Sequence, residues 1–190
     1  MKSKDVAYYQ CGVNGETKGL LKILGYDIFE MEKNRCPWCG SDPLYMDYHD
    51  NEWGIAVKED RALFEFLLLE TFQAGLSWIT ILRKRENFRR AFDDFDYNEI
   101  ALYDEKKYAD LLGDEGIVRN RLKIRAAIKN ATAFLKMQEK HNSFDTYIWS
   151  FSNGKIIHNR WKKIEELPAS TPLSDAVSKA LKTEGFSFVG

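Results

Sequence analysis

The longest regular pattern in the chain is a proline-free stretch from about residue 59 to residue 139, where apolar residues recur every three or four positions. This spacing is typical of amphipathic helices, because the apolar residues of a half-buried strand would alternate instead. Three apolar stripes fall in the stretch, and each predicts the buried face of a helix. The stripes are Leu63, Phe66, Leu67 and Ala74; Trp78, Ile81, Leu82, Phe88 and Phe92; and Ile124, Ile128, Ala131 and Leu135.

Shorter helices are predicted at residues 43–51, 105–112, 145–151 and 172–184. Ser170 or Thr171 can cap the last of them, and Pro172 suits its first turn. Residues 153–157 could form a short β-hairpin, but the chain has no βαβ pattern and no fixed-period repeat. The predicted fold class is therefore mainly α.

The two ends of the chain differ from its middle. Residues 1–34 are loop-like apart from residues 20–29, and we interpret them as an N-terminal extension before a working domain at residues 35–190. The chain ends on Phe186-Ser187-Phe188-Val189-Gly190, an apolar segment without a polar cap. We expect such an ending from an interrupted domain rather than from a natural terminus.

Composition narrows the class of protein. The chain has 190 residues, 44% of them hydrophobic, and its 28 Lys and Arg against 29 Asp and Glu give a formal net charge of −1. A folded globule is expected, and no apolar run approaches the roughly 18–20 residues of a membrane span. Near-neutrality leaves room for a local basic face. Three cysteines and no leader sequence favour a reducing, cytoplasmic setting without a membrane.

Glu70 interrupts an apolar stripe. It follows Leu63 and Leu67 at helical spacing, so we expect its carboxylate to face inward. An inward carboxylate costs several kcal/mol, on the order-of-magnitude scale, unless it is paired or hydrogen-bonded. Glu70 is therefore either satisfied within the protein or available to a cationic or amino-bearing ligand. The alternative is a glutamate at a helix end that turns out to water.

Aromatic residues cluster before and after Glu70. Tyr45, Tyr48 and His49 share one face if their segment is helical, and Trp53 follows closely. Two phenol rings side by side can form a stacking platform with polar edges. Trp78 follows the helix-breaking Gly75, and we expect it to border whatever Glu70 faces. Simple core packing of these rings is the competing interpretation.

A basic segment follows a predicted helix end at Gly113. Gly116 lies in the turn, and the basic residues that come after it are Arg119, Arg121, Lys123 and Arg125. Backbone amides at the start of the next helix suit a phosphate, so this segment could dock an anionic backbone. An ordinary helical turn with basic residues fits the spacing equally well. The earlier charge run at residues 83–90 is most simply a solvated helix face.

Cys36 and Cys39 form a Cys-x2-Cys pair, and His49 lies ten residues further on. These are three soft donors, whereas a structural zinc site needs four. Cys11, His141 and His158 do not stand at a diagnostic spacing. Buried free thiols are therefore the competing interpretation.

Taken together, residues 35–190 resemble the bacterial 3-methyladenine DNA glycosylase I family. The resemblance rests on eight segments that occur in order. They are Asp42-Pro43-Leu44-Tyr45, Tyr48-His49-Asp50-Asn51-Glu52-Trp53-Gly54, Leu69-Glu70, Gln73-Ala74-Gly75-Leu76-Ser77-Trp78-Ile79-Thr80, Arg83-Lys84-Arg85-Glu86, Gly116-Ile117-Val118-Arg119, Trp149-Ser150-Phe151 and Gly185-Phe186-Ser187-Phe188-Val189-Gly190.

The resemblance implies an all-α helix–hairpin–helix fold and a monofunctional enzyme that excises N3-methyladenine from double-stranded DNA. It places Glu70, Tyr45, Tyr48 and Trp78 at the base pocket, and Glu70 is the candidate catalytic residue. The basic segment itself makes Gly116, Arg119 and Arg121 the candidate contacts to the DNA backbone. It also implies structural zinc with Cys36 and His49 as two ligands, and Cys39 is a hypothetical third. A monomer is expected.

The sequence departs from the family at its carboxyl-terminal end, where two parts of the family pattern are missing. The family continues past the Phe-Val-Gly segment into another helix and a tail that carries a second histidine and cysteine for zinc, and this sequence has neither. Many relatives in the wider class use an aspartate near the sugar carbon, which this family lacks, and Asp145 is the candidate substitute. Two rival functions stay open: a catalytically silent DNA-binding or damage-sensing remnant, and a zinc-ribbon-like interaction module.

Overall fold

The structure is a computed structural model that describes residues 35–159 and 166–190. The predicted extension at residues 1–34, with Cys11, lies outside the described residues. The described part contains eight α-helices and two short 3-10 turns, Pro37–Cys39 and Asp93–Phe95, and no strand. The helices are α1 Pro43–Asn51, α2 Asp60–Gln73, α3 Trp78–Ala91, α4 Tyr97–Ala101, α5 Glu105–Gly113, α6 Arg121–His141, α7 Phe144–Ser150 and α8 Pro172–Thr183. The mainly α prediction is confirmed.

Side-chain caps explain why several helices begin where they do. The Asp42 carboxylate accepts the N–H groups of Leu44 and Tyr45 at the start of α1. Thr171 and Ser174 form a reciprocal capping box at the start of α8. Each cap satisfies backbone donors that have no partner within the helix, so the local sequence sets these boundaries.

The buried face of α2 is not the predicted one. Phe64, Leu68, Leu69 and Phe72 are at most 1% exposed, whereas Leu63, Phe66 and Leu67 are only half-buried. Residues 66–69 are all apolar and cover every side of a helical turn, so spacing alone could not select the correct face. As a consequence Glu70 is exposed, and the expectation that it points inward is wrong.

Helix α6 forms the centre of the molecule and packs against α2, α4, α5 and α7. The Phe134 ring lies 5.1 Å from that of Phe64 on α2 and 4.2 Å from that of Phe144 on α7. Aromatic contacts of this kind supply much of the burial in a small helical core. None of the helices among the described residues is long and apolar enough to cross a membrane.

The carboxyl-terminal segment packs onto α6. The buried Asn130 amide accepts the Ser187 N–H at 2.8 Å and donates to the Ser187 carbonyl oxygen at 3.0 Å. Phe186 is 3% exposed within the core. The β-hairpin suggested at residues 153–157 is not formed, because the N–H groups of Asn153 and Gly154 instead cap the end of α7.

Candidate functional site

Helix α1 brings two tyrosines to the start of α3. The ring centroid of Tyr48 lies 5.5 Å from that of Trp78, and the Tyr45 and Tyr48 centroids lie 6.5 Å apart. Asp42, which caps α1, also forms an ion pair with Arg83 of α3 at 2.5 Å. The structure therefore brings together the three aromatic residues that the sequence predicted for one site.

Two tryptophans that were not predicted as site residues extend this aromatic cluster. Trp38 lies 4.9 Å from Tyr45 and 5.2 Å from Trp53, measured between ring centroids. The His49 ring stacks on Trp53 at 5.4 Å. Both tryptophans stand in motifs that the sequence singled out, since Trp38 lies between the two cysteines and Trp53 follows the tyrosines. Spacing alone could not predict the direction in which the Trp38 side chain points.

Glu70 lies at the solvent-exposed edge of this cluster. Burial raises the pKa of Tyr48 well above its ordinary value, and the negative charges of Glu70 and then Glu52 raise it further. The pKa of Tyr45 is also raised, by burial and then by Cys39 and Glu70. Both phenols therefore stay protonated at neutral pH and can donate hydrogen bonds beside an acceptor carboxylate.

A tight turn connects the helix that carries Glu70 to the helix that carries Trp78. The Leu76 N–H donates to the Gln73 carbonyl oxygen at 2.7 Å, and Gly75 has a φ of +83° that a residue with a side chain rarely adopts. The Trp78 indole N–H is buried and has no hydrogen-bond acceptor among the described residues. An acceptor on a bound molecule would satisfy it.

The turn at residues 114–120, here called the hairpin, joins α5 to α6. Gly116 donates its N–H to the Asp114 carboxylate at 2.7 Å, and its carbonyl oxygen accepts from Lys84 at 3.0 Å and Asn87 at 3.1 Å. A Cβ on Gly116 would lie 2.9 Å from the Asp114 carboxylate oxygen. A larger residue here would crowd the Asp114 and Asn87 side chains, so glycine fits this position without displacing them.

Three of the four predicted basic residues near the hairpin are exposed, namely Arg119, Arg121 and Arg125. Arg119 pairs with Glu115 at 3.5 Å, and the Arg125 guanidinium donates to both oxygens of Glu105, at 2.6 and 2.7 Å. Lys123 is buried, so the predicted four-residue cluster is corrected at this one residue.

The predicted zinc ligands do not fit a metal site as they are arranged. The His49 Nε2 atom accepts the backbone N–H of Cys36 at 3.2 Å, and its Nδ1 atom lies 3.1 Å from an Asp50 carboxylate oxygen. Both ring nitrogens are thus already engaged. No group of three or more His, Cys, Asp or Glu side chains that could hold a metal occurs in residues 35–159 and 166–190.

Asp145 lies beside the start of α2, where its backbone N–H donates to the Asp60 carboxylate at 2.7 Å. Glu70 is ten residues further along the same helix, which corresponds to about 15 Å at 1.5 Å per residue. The hypothesis that Asp145 substitutes for a catalytic aspartate near the sugar carbon stays a prediction.

The described part of the chain is all-helical, and it combines an aromatic cluster that has a carboxylate at its exposed edge with a glycine-containing turn that exposed arginines follow. The sequence profile of the methyladenine glycosylase family matches residues 38–190. The chain is 48% identical over 156 residues to DNA-3-methyladenine glycosylase 1 of Escherichia coli strain K12, covering 82% of this chain and 83% of that protein.

Solved structures agree. A crystal structure of a 3-methyladenine DNA glycosylase I superposes with a TM-score of 0.80 at 49% identity, covering 82% of this chain and 86% of that one. The Staphylococcus aureus enzyme, solved to explain its recognition of 3-methyladenine, superposes with a TM-score of 0.80 at 35% identity, with 83% and 84% of the two chains covered. The chain belongs to the methyladenine glycosylase family.

Proposed function

We propose that this protein is a monofunctional DNA glycosylase that hydrolyses the N-glycosidic bond of N3-methyladenine in alkylated DNA, the first step of base excision repair. The observation that carries the proposal is the contact of Tyr48 with Trp78 at 5.5 Å, at a site where the charge of Glu70 reaches both tyrosine phenols. Rings and a negative charge side by side suit a flat, positively charged base.

The substrate chemistry matches this site. Methylation at N3 places a positive charge on adenine and weakens its bond to the sugar, so the base leaves as a neutral molecule and needs little protonation. Aromatic faces attract a cationic ring by about 0.5–2 kcal/mol each. Flipping a damaged base out of the duplex costs a few kcal/mol. Stacking on Tyr48 and Trp78 offsets part of that cost.

Glu70 is proposed to accept hydrogen bonds from the edge of the flipped adenine. Charge-assisted hydrogen bonds are stronger than neutral ones, and a carboxylate opposes the return of a cationic base to water. The position of Glu70 at the exposed edge of the cluster supports this role, because a base that enters from solvent meets the carboxylate first. Tyr45 and Tyr48 stay protonated and are available as donors.

The reaction is proposed to use water rather than an amine nucleophile. Lys123 is a buried lysine that contacts the turn between Glu70 and Trp78. Its ammonium donates to the carbonyl oxygens of Phe72 and Ala74. An amine held in this way is not poised to attack the sugar. Water attacks the sugar carbon, which carries positive charge as the base departs, and the glycosidic bond breaks with its electrons going to the base.

The hairpin is proposed to hold the DNA backbone. Gly116 allows close approach of the chain, and the exposed Arg119 and Arg121 supply positive charge next to the amino-terminal end of α6. Phosphates bind well at such helix ends. We propose that the substrate is double-stranded, and that the enzyme acts in the cytoplasm as a monomer. Sedimentation, together with matched duplex and single-stranded substrates, tests the oligomeric state and the strand preference.

The test is release of free 3-methyladenine from alkylated duplex DNA, measured by chromatography. The wild-type protein should release the base, and Glu70→Gln and Trp78→Ala should lower the rate at least 100-fold while DNA binding persists. Glu139→Gln, an exposed glutamate on α6, is the matched control. If the wild-type protein binds alkylated DNA without releasing the base, the silent-remnant alternative is correct and the proposal is wrong.

A further inference from the structure

Helices α1 and α3 touch at two successive places, first through aromatic rings and then through an ion pair. Trp78 and Arg85 are seven residues apart on α3, so they share one face about two turns apart. Tyr48 lies on α1, and Glu52 follows one turn later as its carboxyl-terminal cap. Tyr48 contacts Trp78, and Glu52 contacts Arg85. The aromatic contact and the ionic contact therefore belong to one helix–helix interface.

The ionic contact is short and connects three elements. Arg85 Nη1 donates to the two Glu52 carboxylate oxygens at 2.9 and 2.6 Å. Arg85 Nε donates to Glu65 Oε1 of α2 at 2.6 Å, and Arg89 supports the same oxygen at 3.1 Å. The side chains of Arg85 and Glu65 are 18% and 11% exposed, and that of Glu52 is 32% exposed. The bridge is therefore partly buried, and Arg85 does not belong to a fully solvated helix face.

The bridge also lies close to the base site. The charge of Glu52 raises the pKa of Tyr48 and that of Arg85 lowers it, so both groups are near the phenol. A groove of about 380 Å³ runs between α1 and α3, and its lining includes Tyr48, Glu52, Leu82 and Arg85. The guanidinium of Arg85 additionally faces the Phe66 ring at 5.6 Å.

We propose that Arg85 is a positioning residue: by holding Glu52 and Glu65 at once, it fixes the register of α1 along α3 and thereby the spacing of the Tyr48 and Trp78 rings that receive the base. The inference rests on the proposed function for the identity of that base. Arg85 acts through the two rings and does not touch the base itself.

Arginine suits this task for a geometric reason. Its planar fork offers donors in two directions, so one side chain can bind carboxylates on two different elements, whereas a lysine ammonium is a compact point charge. A second ion pair, from Arg83 to Asp42, joins the same two helices, and its arginine is 64% exposed against 18% for Arg85. The two carboxylates are similarly exposed, Asp42 at 28% and Glu52 at 32%. Exposed pairs contribute little, so we expect the less exposed Arg85, which also holds Glu65, to fix the register more strongly than Arg83.

The test compares Arg85→Met and Arg85→Lys with Arg61→Met. Arg61 also joins two elements through a carboxylate, that of Asp94 at 2.9 Å, but at the far end of α2 from Glu70. Affinity for free 3-methyladenine is measured by titration, and affinity for undamaged duplex DNA is measured in parallel. We expect at least tenfold weaker base binding for Arg85→Met, a smaller loss for Arg85→Lys, and less than twofold for Arg61→Met. Undamaged DNA should bind all variants within twofold of wild type.

Glu52→Gln keeps the test decisive if Arg85→Met does not fold, because Arg85 then keeps Glu65 and no buried charge is left alone. It should weaken base binding at least threefold. Nuclear Overhauser contacts between the Tyr48 and Trp78 rings should weaken in the same variants, and this measurement needs no substrate. Ring contacts and base affinity that match wild type in folded Arg85→Met and Glu52→Gln overturn the proposal. Absence of base binding by the wild type overturns the proposed function, while the ring contacts still test the role of Arg85.

Discussion

The ammonium of Lys123 donates a hydrogen bond to the backbone carbonyl oxygen of Phe72 at 2.7 Å, and a second to that of Ala74. Lys123 lies in the first turn of α6, directly after the hairpin, whereas Phe72 and Ala74 lie at the end of α2, between Glu70 and Trp78. A single cation thus joins the hairpin side of the molecule to the turn that separates two proposed base-site residues. It also satisfies carbonyl groups that every helix end leaves without a partner.

Removal of this cation should destabilise the protein. Lys123→Met keeps most of the apolar stem but leaves two carbonyl groups without their donor, and each unsatisfied buried group costs about 1–3 kcal/mol. We expect the free energy of unfolding in urea to fall by about 2–4 kcal/mol. Lys136→Met, on the exposed side of the same helix, is the control. Equal stability of the two variants would show that Lys123 does not hold the turn.

Stability should fall in alkaline solution because of Tyr48. Its pKa in the folded protein is raised above the ordinary value of 10.0, chiefly by burial. As the pH rises, the Tyr48 phenol is therefore deprotonated in the unfolded chain at lower pH than in the folded protein. The contribution of this phenol to the free energy of unfolding is complete below pH 10 and decreases above it. Urea unfolding between pH 8 and pH 11 should show this decline. Tyr48→Phe should make the decline shallower, and an unchanged slope would argue against a buried phenol.

The exposed Arg119 in the hairpin and Arg121 at the start of α6 should contribute to DNA binding through charge alone. Each phosphate contact releases a bound counterion, so Arg119→Gln and Arg121→Gln should each reduce the slope of log affinity against log salt by about one. The loss should be the same for damaged and undamaged duplexes, and release of bound base in a single turnover should change little. Arg125→Gln is the control, because Glu105 binds that guanidinium with both oxygens at 2.6 and 2.7 Å, whereas the pair of Arg119 with Glu115 is longer, at 3.5 Å. A slope that does not change in the first two variants would remove the hairpin from the DNA interface.

Chelation should leave the fold intact. The His49 ring is held by the Cys36 N–H and by Asp50, and it stacks on Trp53, so its position does not depend on a metal. We expect purified protein to contain much less than one zinc ion per chain, and EDTA to leave the melting temperature unchanged. If the wild-type protein contains one zinc ion per chain and Cys36→Ala loses it, the prediction is wrong and the zinc site that the family resemblance implies is supported.

Most helices could be predicted because their signals are local. The segment at residues 43–51 begins with an aspartate cap and a proline and became α1. The segment at residues 172–184 became α8, and of the two candidate caps, Ser170 and Thr171, the structure uses Thr171. The apolar stripe on α3 was also correct, since Ile81, Leu82, Phe88 and Phe92 are all buried. On α2 the predicted buried face was wrong, because the four consecutive apolar residues 66–69 surround the helix and fit any orientation of its buried face.

The motif at residues 45–54, the glutamate at position 70 and the tryptophan at position 78 predict the site and the family from the sequence alone, since residue type and order are properties of the chain itself. Only the tertiary structure decided that Glu65, rather than Glu70, is the buried carboxylate of α2, that Lys123 turns inward while Arg119 stays in solvent, and that Arg85 joins Glu52 to Glu65. The physical reason is that a charged side chain enters the interior only where partners from distant parts of the chain converge to bind it, and that convergence is a property of the packed helices.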